Sequence, residues 1–122
     1  MPVEQDWRDS MKYYLSHEQA DAVKMRSIAR YGNDKQTTVC MEECAELIQA
    51  ISKLKRYNPE DPANTVGRAE LVENLCEEMA DVLICFDLLI EIYGLKPGDL
   101  RRMMDHKVWR MKRRLEAQGE KF

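Results

Sequence analysis

Glu42-Glu43-Cys44-Ala45-Glu46-Leu47, with its later echo Glu77-Glu78-Met79-Ala80-Asp81-Val82-Leu83, is the stretch that decides how this chain folds. Both strings lie in runs whose apolar residues recur three and four positions apart, the period of an amphipathic helix. On a wheel of about 100° per residue with Glu43 at zero, Val39, Leu47, Ala50 and Leu54 fall within about 40° of it. Glu46 lies about 60° away, at the edge of the stripe. With Glu78 at zero, Leu71, Val82, Cys85, Leu89 and Ile92 fall within about 40°, and Asp81 about 60° to one side. Each helix therefore carries two carboxylates, three positions apart, on the face it should bury. Glu42 and Glu77 point about 100° away and read as solvated charges.

Outward from these strings the chain reads as helix after helix. Ser16 and Gln19 form a capping box, and Gly32 stops that helix after Tyr31. Asn33-Asp34 offers the next N-cap, for a helix over residues 35–56. Pro59 and Pro62 break the pattern in the loop over residues 57–65. The third helix starts at Asp61-Pro62 or after Thr65 and runs to Tyr93, with Gly94 as its C′ residue. Pro97 suits the first turn of a last helix ending near Ala117. Residues 4–14 add a short leading helix. Five Gly and four Pro in 122 residues are too few for a turn-rich all-β fold.

The expected fold is all-α: a compact bundle of four to five helices, with the two motif helices antiparallel, in a single domain over residues 1–122. Residues 1–33 give the N-terminal helices, residues 34–94 the carboxylate hairpin, and residues 95–122 a basic C-terminal helix. Met41, Met79, Met103, Met104 and Met111 read as core filler, Trp7 and Trp109 as packing residues, and Cys40, Cys44, Cys76 and Cys85 as buried, reduced thiols.

A net charge of −3 argues against binding polymeric nucleic acid. The charge is uneven: residues 100–122 hold eight basic and three acidic side chains, net +5, which leaves −8 for the rest. That asymmetry suits an anionic ligand or an acidic partner surface. Asp87 and Glu91 interrupt the longest apolar stretch, so no membrane span is expected. The first ten residues lack a signal-peptide core, which makes the cytoplasm the expected address.

Ionised carboxylates in an apolar seam lose several kcal/mol of hydration each and repel one another. They can take up protons, bind hard divalent cations, or pair with Lys and Arg across a helix seam. With no His or Cys among them, the four match the oxygen preference of Mg²⁺ or Mn²⁺. Other metal patterns fail. The stretch from His17 to Asp21 lacks the second imidazole of a zincin helix, and Tyr14 and Met103 stand where a di-iron bundle needs Glu before His17 and His106.

Glu43-Cys44-Ala45-Glu46 followed by Glu78-Met79-Ala80-Asp81 resembles the E-x-x-E … E-x-x-D signature of the MazG-like all-α NTP pyrophosphohydrolase superfamily. Gln36, seven before Glu43, and Lys53, seven after Glu46, also match familiar positions. The likeness covers residues 36–89 well and the last helix loosely. There Lys107 and Arg114 resemble a common basic pair, but Met111 replaces an expected polar residue. The 31 residues between Glu46 and Glu78 form a long spacer.

The resemblance implies Mg²⁺-dependent hydrolysis of a nucleoside triphosphate to monophosphate and pyrophosphate. Glu43, Glu46, Glu78 and Asp81 would hold the metal, and Glu46 would orient or deprotonate the attacking water. Lys53, Lys107 and Arg114 are the substrate contacts directed to phosphate, and Asn74, about 40° from Glu78 on the wheel, is placed to contact substrate or to support a carboxylate. Assembly as a homodimer or homotetramer is implied, and exposed-looking Ile84 and Leu88 suit a subunit contact. Related carboxylate helices serve the all-α dUTPases and phosphoribosyl-ATP pyrophosphohydrolases. The alternative in another class is a non-catalytic helical interaction module.

Overall fold

The computed structural model describes residues 14–96 and 98–122, so the expected leading helix over residues 4–14, Trp7 and the role of Pro97 lie outside the described residues. Among the described residues there are four helices and no strand: α1 (His17–Tyr31), α2 (Asn33–Arg56), α3 (Arg68–Tyr93) and α4 (Asp99–Ala117). The capping box is in place. The Ser16 hydroxyl accepts from the Gln19 backbone N–H at 3.1 Å, and the Ser16 N–H donates to Gln19 Oε1 at 2.9 Å.

α2 begins two residues earlier than expected, at Asn33 itself, so Asn33-Asp34 is not its N-cap. Gly32 takes that place with no side-chain cap bond, and it also caps the end of α1, at φ 86°. A left-handed glycine lets one residue close one helix and open the next. α3 starts at Arg68, which selects the later of the two expected starting points.

The chain divides into two units, one ending at Ile92 and one beginning at Tyr93. In the first, α2 and α3 run antiparallel. Cys40 meets Cys85, Glu43 and Glu46 meet Glu78 and Asp81, and Lys53 shares a cavity with Leu71, so numbers rise on one helix as they fall on the other. The core is small-sided: Cys40, Cys85 and Leu88 are buried together, with Ile28, Leu89 and Ile92 packed against them. Burial beside Cys40 pushes the Cys85 thiol up to about 12, which keeps it neutral and inert.

α1 lies against this pair through two polar links. Gln36 is buried and donates to the Ser27 hydroxyl at 3.1 Å, and Lys24 Nζ donates to Asp87 at 2.6 Å. That position of α1 explains one departure from the sequence reading. Leu88 is buried against Cys40 and Cys85, not exposed for a subunit contact, whereas Ile84 is exposed.

Other departures share a cause. Cys44 and Cys76 are exposed, and so are all five methionines expected in the core. In the second unit α4 buries no residue, although Leu100, Met104, Met111 and Leu115 still line one stripe. Trp109 is 55% exposed and stacks on His106 with ring centroids 6.1 Å apart. The sequence pattern marks faces suited to burial, and a single chain does not cover them all.

Truncating Leu88 to Ala should lower the unfolding free energy by about 2–4 kcal/mol, and Ser16→Ala by about 1 kcal/mol. Urea denaturation followed by circular dichroism measures both. A Leu88→Ala cost below that of Ser16→Ala would contradict the buried position of Leu88.

Candidate metal centre

The helical period sets the site. Glu43 and Glu46 sit one turn apart on α2, Glu78 and Asp81 one turn apart on α3, and antiparallel pairing brings the turns level. One carboxylate oxygen from each of the four lies within 4.8 Å of the others. Glu43 and Glu78 are half-buried at the floor, and Glu46 is exposed at the rim. Among the described residues no ion pair between the four and a Lys or Arg occurs.

Glu43 Oε2 and Glu78 Oε2 are shut off from solvent and, among the described residues, accept no hydrogen bond. A buried acceptor left unpaired costs about 1–3 kcal/mol, more when charged. Burial first, and then the nearby Asp81 and Glu46 charges, push the Glu43 carboxyl up to about 7. Glu78 is also raised, by burial and then by Glu46 and Asp81. The cluster thus carries two orphaned acceptor oxygens. An all-oxygen set at these separations fits a hard divalent cation.

The expected substrate residues fall in three places. Lys53 lines an open cavity of about 230 Å³ at the closed end of the hairpin, with Arg56, Tyr57, Asn64 and Thr65. Asn74 is half-buried on α3, about one turn before Glu78. Lys107 and Arg114 belong to the second unit, where they flank a hollow of about 310 Å³ with Arg110 and Met111.

Tyr57, Asn64 and Thr65 escaped the sequence reading, which took residues 57–65 as a chain break alone; the long spacer was the available signal. The loop is tied by local bonds: the Glu60 N–H donates to Asn58 Oδ1 at 3.0 Å, the Ala63 N–H to Asp61 Oδ1 at 2.9 Å, and Asn64 Nδ2 to the Asn58 carbonyl at 2.6 Å. These Asx-type turns hold the loop against α2 and α3.

A paired-helix scaffold with four converging carboxylates defines a class of helical protein whose site could bind a metal. The family model of the MazG nucleotide pyrophosphohydrolase domain matches residues 32–115, and the chain belongs to that family. The matched span holds all four carboxylates. No match is found among curated proteins or among solved structures.

The raised Glu43 carboxyl sets a pH dependence. Without metal, folded Glu43 binds its proton more tightly than the unfolded chain does. Its contribution to stability is present below about 4.5 and is lost as pH rises through about 7. In EDTA, the melting temperature should therefore fall between pH 5 and pH 8, and Glu43→Gln should flatten that fall. A wild-type melting temperature that rises over this window, with the Gln variant unchanged, would contradict the assigned environment of Glu43.

Proposed function

We propose that the protein is a Mg²⁺-dependent nucleoside triphosphate pyrophosphohydrolase, releasing a nucleoside monophosphate and pyrophosphate. The observation that carries this reading is the meeting of four carboxylates whose two inner oxygens have no hydrogen-bond partner. Membership of a nucleotide pyrophosphohydrolase family supports the choice of substrate. Glu43 and Glu78 would hold Mg²⁺, or Mn²⁺, from the floor, and Glu46 and Asp81 from the sides. A divalent cation supplies phosphate charge neutralisation and a lowered pKa for a bound water.

The remaining chemistry is the chain's own. Exposed Glu46 orients the attacking water and accepts its proton at a carboxylate oxygen. Asn74, one turn from Glu78, steadies the substrate or a carboxylate. Lys53 at the hairpin's closed end, and Lys107 and Arg114 on α4, are the cationic substrate contacts. Phosphoryl transfer depends on positioning and charge more than on covalent catalysis, which is what such a residue set provides.

Assembly as a homodimer or homotetramer belongs to the same proposal. Ile48, Leu83 and Ile84 are 67%, 60% and 48% exposed, and a second copy is the natural cover for them. We place the enzyme in the cytoplasm; among the described residues no helix is long and apolar enough to cross a membrane.

Glu43→Gln and Glu78→Gln should each lower pyrophosphate release by about a hundredfold or more while leaving helix content unchanged, since each removes one buried anionic ligand. The assay is pyrophosphate against phosphate release, over canonical and modified nucleotides, with circular dichroism on the same samples. Phosphate without pyrophosphate would move the cleavage away from the α–β bridge. No pyrophosphate release from any nucleotide, or no saturable Mg²⁺ effect on melting, would favour a non-catalytic module, and full activity in either variant would remove that carboxylate from the metal set.

A further inference from the structure

The cavity at the closed end of the α2–α3 hairpin has a lining unlike the carboxylate cluster. Lys53 and Arg56 come from the last turn of α2, Tyr57 from its cap, Asn64 and Thr65 from the loop, and Leu71 from the start of α3. Lys53 lies seven residues beyond Glu46, about 10 Å along the helix axis. That is the order of the span from a nucleotide's phosphate to the outer edge of its base. Arg56 is drawn back along α2 by its Nε–H donating to the Ser52 carbonyl at 3.3 Å.

The lining suits a flat heterocycle. A half-buried Tyr57 ring and the apolar Leu71 wall offer stacking surface, and the loop offers polar groups at an edge. The donors and acceptors are also unequal. Lys53 and Arg56 only donate. Asn64 has its orientation set by the short bond from Nδ2 to the Asn58 carbonyl, which leaves Oδ1 as the amide's free acceptor. The Thr65 hydroxyl serves either way. The cavity thus presents cationic donors beside one fixed carbonyl acceptor.

We infer that this cavity takes the nucleobase and prefers bases with a lactam edge, a ring carbonyl next to a ring N–H: guanine, hypoxanthine and uracil over adenine and cytosine. The ring carbonyl would accept from Lys53 or Arg56, and the ring N–H would donate to Asn64 Oδ1. Adenine and cytosine present an exocyclic amine where the carbonyl would be. That amine faces the cations donor to donor, which strands both. Placing the base here assigns Lys53 to the base end of the substrate and leaves the phosphates to the carboxylate end. The inference rests on the nucleotide reading of the site, but the cavity can be tested without turnover.

The full chain, without metal, is titrated with GMP, IMP, UMP, AMP and CMP, following backbone amide shifts by NMR. Pyrophosphate release from the matching triphosphates with Mg²⁺ is measured in parallel. GMP, IMP and UMP should bind about tenfold or more tightly than AMP and CMP, moving the amides of residues 57 and 64–66. Lys53→Met and Asn64→Leu should weaken the lactam bases to the level of the amino bases without weakening the amino bases. Lys53 is exposed on α2, so its variant reads the cavity even if the loop variant fails to fold.

No monophosphate binding, equal affinities, a preference for the amino bases, or equal weakening of all bases by Lys53→Met would each overturn the inference. The base preference without any pyrophosphate release would keep the inference and remove the hydrolytic reading. Pyrophosphate release with no base preference would do the reverse.

Discussion

Mutual repulsion among four carboxylates, held within 4.8 Å by two antiparallel helices, is the constraint around which the first unit is organised. Among the described residues no donor relieves it: two of the oxygens are sealed from water without a partner, and burial holds Glu43 and Glu78 towards their protonated forms. The seam beside them is apolar and small-sided, with Cys40, Cys85, Ala50 and Val82 letting the helices approach. Packing holds the acids together against their charge. Such a site stores an electrostatic cost that a cation, or a proton, returns as binding free energy.

Around that seam the polar residues are committed elsewhere. Lys24 pairs with Asp87 and Gln36 with Ser27, both anchoring α1 and neither reaching the carboxylates. A nearby lysine turned inward would neutralise the cluster and close it to metal. Its absence among the described residues has the same physical sense as the orphaned oxygens: the cluster's charge is kept available.

The stripe on each motif helix was legible because helical period is a local property, and Glu43, Glu46, Glu78 and Asp81 followed from it directly. The antiparallel pairing of the two motif helices was also expected, since a bundle has to set their carboxylate faces together. What could not be read depended on chain path. Leu88 looked exposed until α1 was laid beside it. The exposed methionines and Trp109 looked like core because a wheel reports a face suited to burial without saying what covers it. Tyr57, Asn64 and Thr65 join Lys53 in a loop held by the Asx turns at Asn58 and Asp61, bonds to which the long spacer points only as a site of unassigned structure. The misplaced cap at Asn33 has a similar origin, since glycine's left-handed geometry was assigned to one helix when it serves two.

Gly32 has one more consequence. With a single residue between α1 and α2, the junction has no slack, and the heading of α1 follows rigidly from that of α2. Lengthening the joint by one residue would swing α1 through about 100° and carry Lys24 and Ser27 off their partners. The elbow works as a template: it aims the helix that carries Lys24, Ser27 and Ile28 onto the hydrophobic seam.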